Sequence, residues 1–250
     1  MWFRKSWKDG APLQRWAGWH DRRGPAEALD PVWPDMSFTL PTPEEKVTPA
    51  TTPLYCHCRG VSFLLRSALD QEHSPTEELT TTVNPKTFKY VALTCVCDSC
   101  RAACGVDLPN WTFANLKYIV LDKFPGTVTA LKEAVASPEK DGRLGTLTFY
   151  KSSENVERYY CFKSSTTVFY ALAKRPDMVD IAVGLLDHPT GARAEGLLSW
   201  DFGQIWKVDS TEGGWREKIA KASLRACEEW RVVRGYPRRW SSSVTVARSA

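Results

Sequence analysis

The chain predicts a mainly β fold, antiparallel through its centre, with a C-terminal amphipathic helix. From Leu54 onward the sequence breaks into short runs rich in β-branched and aromatic residues, set apart by Gly, Pro, Asn and Asp. Near the end, one segment instead repeats its apolar residues every three or four positions. Six of the eight cysteines fall in two tight groups, with Cys161 standing apart, and that close spacing suits chelation better than disulfides.

Residues 1–48 read as an N-terminal extension. Pro12, Pro25, Pro31, Pro34, Pro41 and Pro43 recur, and no helical or alternating period survives between them. Five tryptophans are unusual for a disordered segment, so an arm packed on the domain is the expectation beside a flexible one. A domain over residues 49–208 follows. Its expected strands are Gly60–Arg66, Phe88–Cys97, Trp111–Leu121, Gly145–Tyr150, Glu157–Cys161, Thr166–Leu172 and Val179–Leu186. Residues 69–85 are polar and Pro-containing, and predict a long loop. The helix is expected within 209–235. Trp215, Ile219, Ala222, Ala226, Trp230 and Val233 form its apolar stripe, and Arg216, Lys218, Lys221, Arg225, Glu228 and Arg231 its polar face. Gly235 and Pro237 supply the stop. Residues 236–250 read as a basic, Ser-rich tail.

With 250 residues, 43% hydrophobic and 25% charged, the chain has the apolar content for a real core. No stretch has the apolar length of a membrane span, and no h-region of a secretory signal is present. The cysteines are therefore expected in a reducing compartment, the cytoplasm, where thiols bind metal. The net charge of +4 equals the excess carried by residues 1–24 alone, where Arg4, Lys5, Lys8, Arg15, Arg22 and Arg23 face Asp9 and Asp21. A solvated arm explains it. A mitochondrial presequence is the sharper alternative, weakened by few serines and two aspartates. The remaining chain is balanced, which gives no basis for nucleic-acid or membrane partners. No phosphate-binding glycine motif occurs, and none of the four histidines has helical metal spacing with another.

Cys95, Cys97, Cys100 and Cys104 form C-x-C-x-x-C-x-x-x-C. A strand ending at Cys97 would put Cys95 and Cys97 on one face, and a turn through Asp98 and Ser99 would bring Cys100 beneath them. Three thiolates could then meet on one zinc ion. Cys104 could close that set as a fourth ligand, or be a small buried thiol. Cys56 and Cys58 share a face by the same rule, with His57 pointing away, and need a distant partner. Cys161 is the candidate. A fourth ligand is expected three residues later, where the chain has Ser164, a poor ligand.

These motifs resemble the glutathione-dependent formaldehyde-activating enzyme family, which shares its domain with centromere protein V and has an Mss4-like zinc-bound β fold. The resemblance rests on Cys56-His57-Cys58-Arg59-Gly60-Val61-Ser62-Phe63, on Cys95-Val96-Cys97-Asp98-Ser99-Cys100-Arg101 with Gly105, and on Arg158-Tyr159-Tyr160-Cys161 before Thr167-Val168-Phe169. The stretch Val179–Asp187 also resembles fungal members, and the match spans roughly residues 54–200. It implies two zinc sites. The structural one maps onto Cys56, Cys58 and Cys161, with Ser164 replacing the family's fourth cysteine. The catalytic one maps onto Cys95, Cys97 and Cys100, with one coordination position left for substrate. A closed structural zinc can supply roughly 10–16 kcal/mol in small domains, so the serine weakens the first site severely. Water or His57 would have to complete it.

The activity the resemblance implies is a carbon–sulfur lyase run in the addition direction, joining glutathione and formaldehyde into S-hydroxymethylglutathione. Arg101 is placed to meet a substrate carboxylate, or is simply a surface arginine. The competing expectations are a non-catalytic zinc-bound interaction module and a degenerate relative with an incomplete first site.

Overall fold

The structure, a computed structural model, describes residues 49–68, 82–84, 87–121, 124–233 and 235–236. The N-terminal extension, the C-terminal tail and most of the 69–85 loop lie outside them.

Among the described residues, ten strands form two sheets. The smaller contains β1 (Thr51–Tyr55), β2 (Ser62–Arg66) and β5 (Ile119–Val120), in the order β1-β2-β5. The larger contains β3 (Tyr90–Thr94), β4 (Asn110–Asn115), β6 (Leu147–Ser153), β7 (Val156–Cys161), β8 (Thr167–Leu172), β9 (Met178–Ala182) and β10 (Leu198–Trp200). Its order is β10-β3-β4-β9-β8-β7-β6. Every strand pairing is antiparallel except that of β10 with β3. The expected mainly β architecture holds, and among the described residues three helices accompany it: α1 (Asp98–Cys104), α2 (Val128–Ala136) and α3 (Trp215–Val233).

The main core lies between the sheets. Leu54, Phe63, Leu65 and Ile119 from the small sheet join Tyr159, Phe169, Ala171, Val179 and Ile181 from the large one. Val128, Leu131 and Val135, spaced along one face of α2, complete that cluster. β4 is buried on both faces, because Leu93, Cys95, Cys100, Trp111 and Phe113 form a second cluster on its other side. Continuous burial rather than alternation marks a central strand covered twice.

Besides α1, β1, α2 and β10 are additions to the sequence expectation. β1 carries Pro53, which lacks a backbone N–H. It is tolerated because β1 is an edge strand. α2 is capped by Thr127, whose hydroxyl accepts from the Ala130 N–H at 3.1 Å. β10 has only three residues and is held by parallel pairing to β3. β3 also ends earlier than expected, at Thr94, with Cys95 in a lone bridge to Trp206.

The terminal helix forms where its periodicity predicts, but its buried face is turned by about one residue. Arg216, Ala220, Ser223, Cys227 and Trp230 face inward, while Trp215 and Val233 are exposed. The cause is Arg216. Its guanidinium pairs with Asp98 at 2.5 Å and Asp107 at 3.3 Å, and donates to the Val96 carbonyl. Small residues beyond it let Ala220 pack with Val96 and Ile205. At the far end Trp230 stacks near Phe202 and Tyr236, with ring centroids 5.0 and 5.2 Å away. No helix among the described residues is long and apolar enough to cross a membrane.

Two glycines fix how the turns cross. A Cβ on Gly60 would lie 2.4 Å from the Thr146 hydroxyl, and one on Gly145, at φ +56°, would lie 2.0 Å from the Gly60 carbonyl oxygen. Between them the Thr146 N–H donates to that carbonyl at 2.8 Å. Gly145→Ala meets both a backbone clash and a conformation costing roughly 1–3 kcal/mol for other residues. Its melting temperature is expected to fall by at least about 4 °C in a thermal scan. An unchanged Tm would mean that the turns do not cross as described.

Candidate metal centres

The first centre is built from two tight turns that face each other. At the β1–β2 turn, the Cys56 N–H donates to Val61 O at 3.1 Å and the Arg59 N–H to Cys56 O at 3.0 Å. Arg59 takes the left-handed conformation at φ 59°. At the β7–β8 turn, the Cys161 N–H donates to Thr166 O at 2.9 Å and the Ser165 N–H to Cys161 O at 2.8 Å, with Ser165 at φ 54°. Each turn aims a backbone N–H at its leading sulfur: Val61 at Cys56 (3.2 Å) and Ser164 at Cys161 (3.4 Å). Such N–H groups stabilise thiolate and orient it for a metal.

The three sulfurs converge. Cys58 Sγ lies 3.5 Å from both Cys56 Sγ and Cys161 Sγ, and all three fall within 4.8 Å of one another. Cys56 and Cys161 are buried and Cys58 is partly exposed. Thr146 Oγ1 lies 2.9 Å from Cys161 Sγ, so the Gly60–Gly145 crossing also supports this centre. Ser164 stands where the fourth ligand was expected. Its N–H donates to Cys161 Sγ at 3.4 Å, and its hydroxyl contacts Thr166 Oγ1 at 2.9 Å. Burial works to raise the Cys161 thiol, but the Ser164 and Thr146 hydroxyls and the Ser164 N–H lower it to about 6. Burial raises Cys56. The serine therefore serves the centre as a hydrogen-bond partner of thiolates. His57 is exposed and outside the group, so it does not complete the set.

The second centre uses a strand end and a helix start. Cys95 follows β3, held by its N–H to Pro109 O at 2.9 Å. Cys97 is the N-cap of α1, and its sulfur accepts from the Cys100 N–H at 3.3 Å. Cys95, Cys97 and Cys100 again have all sulfurs within 4.8 Å of one another. The convergence expected of a strand and turn is achieved instead by a capping residue and the first helical turn, since β3 stops before Cys97. Gly105, at φ 66°, ends the helix in the left-handed conformation.

Charge at this centre is arranged by neighbours. Arg158, buried on β7, donates through Nη2 to Ser99 Oγ at 2.8 Å and to Cys100 Sγ at 3.6 Å. A hydrogen bond from Cys95, with Arg158 beside it, lowers Cys100 to about 5. The same hydrogen bond, with burial, raises Cys95. One thiolate and one thiol thus share a proton until a cation replaces it. Cys104 lies outside the group, and burial raises its thiol to about 11. Its side chain is half-buried. Arg101 is exposed and reaches Asp98 at 3.7 Å, a surface pair.

Three features were not singled out in the sequence. Arg158 stands in the Arg158–Cys161 motif, but its odd spacing from Cys161 puts it on the opposite sheet face. That alternation was the available signal. Arg216, whose hydrogen-bond partners Asp98 and Val96 lie 118 and 120 residues away, had none. Trp111 and Tyr170 pack beside the second centre with ring centroids 6.5 Å apart, and were legible only as strand aromatics.

Two groups of three cysteines could therefore each hold a metal ion. No protein-family model, curated protein or solved structure matches this chain. If the Ser164 hydroxyl occupies the fourth corner of the first centre, Ser164→Cys supplies the missing thiolate. Metal bound per chain is expected to rise, and Tm with it by about 5 °C or more in metal-containing buffer. No change in either, measured by elemental analysis and thermal scanning, would mean that Ser164 does not adjoin a metal.

Proposed function

We propose that the chain is a zinc protein of the glutathione-dependent formaldehyde-activating kind, with an Mss4-like fold, acting as a carbon–sulfur lyase on a small thiol such as glutathione. The observation that carries this reading is the second centre. It offers three convergent thiols rather than four, with Cys104 set apart, the ligand number of a reactive zinc rather than a closed structural one. The donor set of soft thiolates fits zinc. Zinc held there favours the thiolate form of an incoming thiol, the nucleophilic form.

The chain's own residues would shape the reaction. Cys95, Cys97 and Cys100 hold the ion, and Cys97 is fixed in turn by the α1 cap. Arg158 offsets the negative charge that three thiolates leave on a divalent ion. The aromatic wall of Trp111 and Tyr170 limits water. In the addition direction the thiolate sulfur forms a bond to the aldehyde carbon. The carbonyl π electrons move to oxygen, which takes a proton and becomes the hydroxyl of an S-hydroxymethyl adduct.

The first centre would hold the β1–β2 and β7–β8 turns together as a structural site. One observation favours a second reading, a relative kept for interaction rather than catalysis. Ser164 leaves that centre short of a thiolate, while Phe162 and Trp215 stand well exposed. Cysteine chemistry of this kind belongs to a reducing compartment, for which the cytoplasm is the simplest assignment.

Elemental analysis of protein purified without added metal, paired with NMR detection of S-hydroxymethylglutathione, tests the reading. Zinc is expected in the wild type. Cys97→Ser is expected to lose that of the second centre and return adduct formation to the uncatalysed rate, while Cys56→Ser keeps zinc there. Zinc-free protein, or adduct formation indifferent to Cys97→Ser, would overturn the enzyme assignment. Zinc present without any rate enhancement would favour the interaction reading.

A further inference from the structure

The face of the large sheet beside the second centre is short of acceptors. Register aligns Phe113, Asp180, Tyr170 and Arg158 in one row across β4, β9, β8 and β7. The Arg158 guanidinium lies 4.9 Å from the Tyr170 ring, and Trp111 flanks the same ring. Arg175 sits 5.9 Å from both the Tyr170 and Phe113 rings. Among these side chains, Arg158 Nε and Nη1, Arg175 Nε and Trp111 Nε1 are buried nitrogens without a hydrogen-bond partner. The one carboxylate in the row, Asp180, has its Oδ1 2.8 Å from Arg175 as an ion pair without hydrogen-bond geometry, one acceptor against four partnerless donors.

Buried donors without partners forfeit hydrogen bonds that water would have given, and a charged guanidinium forfeits most. Such a set on one face calls for an oxygen-rich acceptor, and a planar guanidinium suits a carboxylate. The placement also fixes a size. Arg158 Nη2 lies 3.6 Å from Cys100 Sγ, so an acid group meeting this arginine lies only a few bonds from a sulfur at the metal.

We propose that this face selects acidic thiols, the substrate carboxylate accepting from Arg158 and Trp111 while its sulfur meets the ion held by Cys95, Cys97 and Cys100. The inference rests on the thiol-binding reading of that centre and adds what the thiol must carry. Arg158 and Trp111 then set specificity, and the exposed Arg101 has no part in it.

Cobalt-loaded protein reports thiol binding through sulfur-to-metal charge-transfer absorption. Titrations compare 3-mercaptopropionate, neutral 2-mercaptoethanol and cationic 2-mercaptoethylamine. The acid is expected to bind at least about tenfold tighter than the neutral thiol, and the amine most weakly. Arg158→Gln, compared with the wild type at equal cobalt loading, should abolish the preference. Trp111→Phe, which keeps an aromatic ring and removes the N–H, should reduce the preference several-fold. If Arg158→Gln does not fold, Trp111→Phe decides alone, and an undiminished preference there overturns the proposal. A cobalt spectrum that responds to 2-mercaptoethanol without favouring the acid also overturns it. Water then satisfies the donors, and the thiol-binding reading stands. A spectrum indifferent to every thiol removes both.

Discussion

Three sulfurs within 4.8 Å of one another cannot all be thiolates unless a cation lies among them. Two like charges about 4 Å apart repel by about 4 kcal/mol even where the effective dielectric is near 20. The chain meets this constraint at two places, and its architecture follows from it. Hydrogen bonds from backbone N–H groups, hydroxyls and one arginine converge on the sulfurs, and the hairpin turns are shaped to deliver them.

β7 joins the two centres. Its last residue, Cys161, points into the core side and closes the first group, while Arg158 points to the opposite face and supports the second. One strand of six residues thus links the two groups of sulfurs. The second centre is braced again from behind. Arg216 on α3 holds the Val96 carbonyl and Asp98, which flank Cys97 on either side, and also Asp107 beyond α1. A buried arginine with several partners is costly to assemble and costly to break, so it fixes one arrangement of that loop.

Much of this was legible in the chain. The β-rich runs located most strands of the large sheet, because β-branched and aromatic residues fit a pleated, packed surface. The cysteine spacing located both centres, including the pairing of Cys161 with Cys56 and Cys58 across 103 residues. What was missed was set by tertiary context. β10 exists only because β3 offers an edge, and three residues carry no period. α2 had its signs, Thr127 ahead of Val128, Leu131 and Val135, but they were brief. The face of α3 was misjudged because hydrophobicity ranks tryptophan inward and arginine outward. Arg216 reverses that order by finding carboxylates no local pattern reveals.

The bond from Arg216 to Asp98 also bears on how the protein is made. It spans 118 positions, and the helix carrying Arg216 closes the described chain. On the ribosome, Cys95, Cys97 and Cys100 emerge well before their brace does. For that interval their thiols are exposed to oxidants and to whatever metals the surroundings offer. The brace that fixes the loop of Cys95, Cys97 and Cys100 is therefore complete only once α3 has been made.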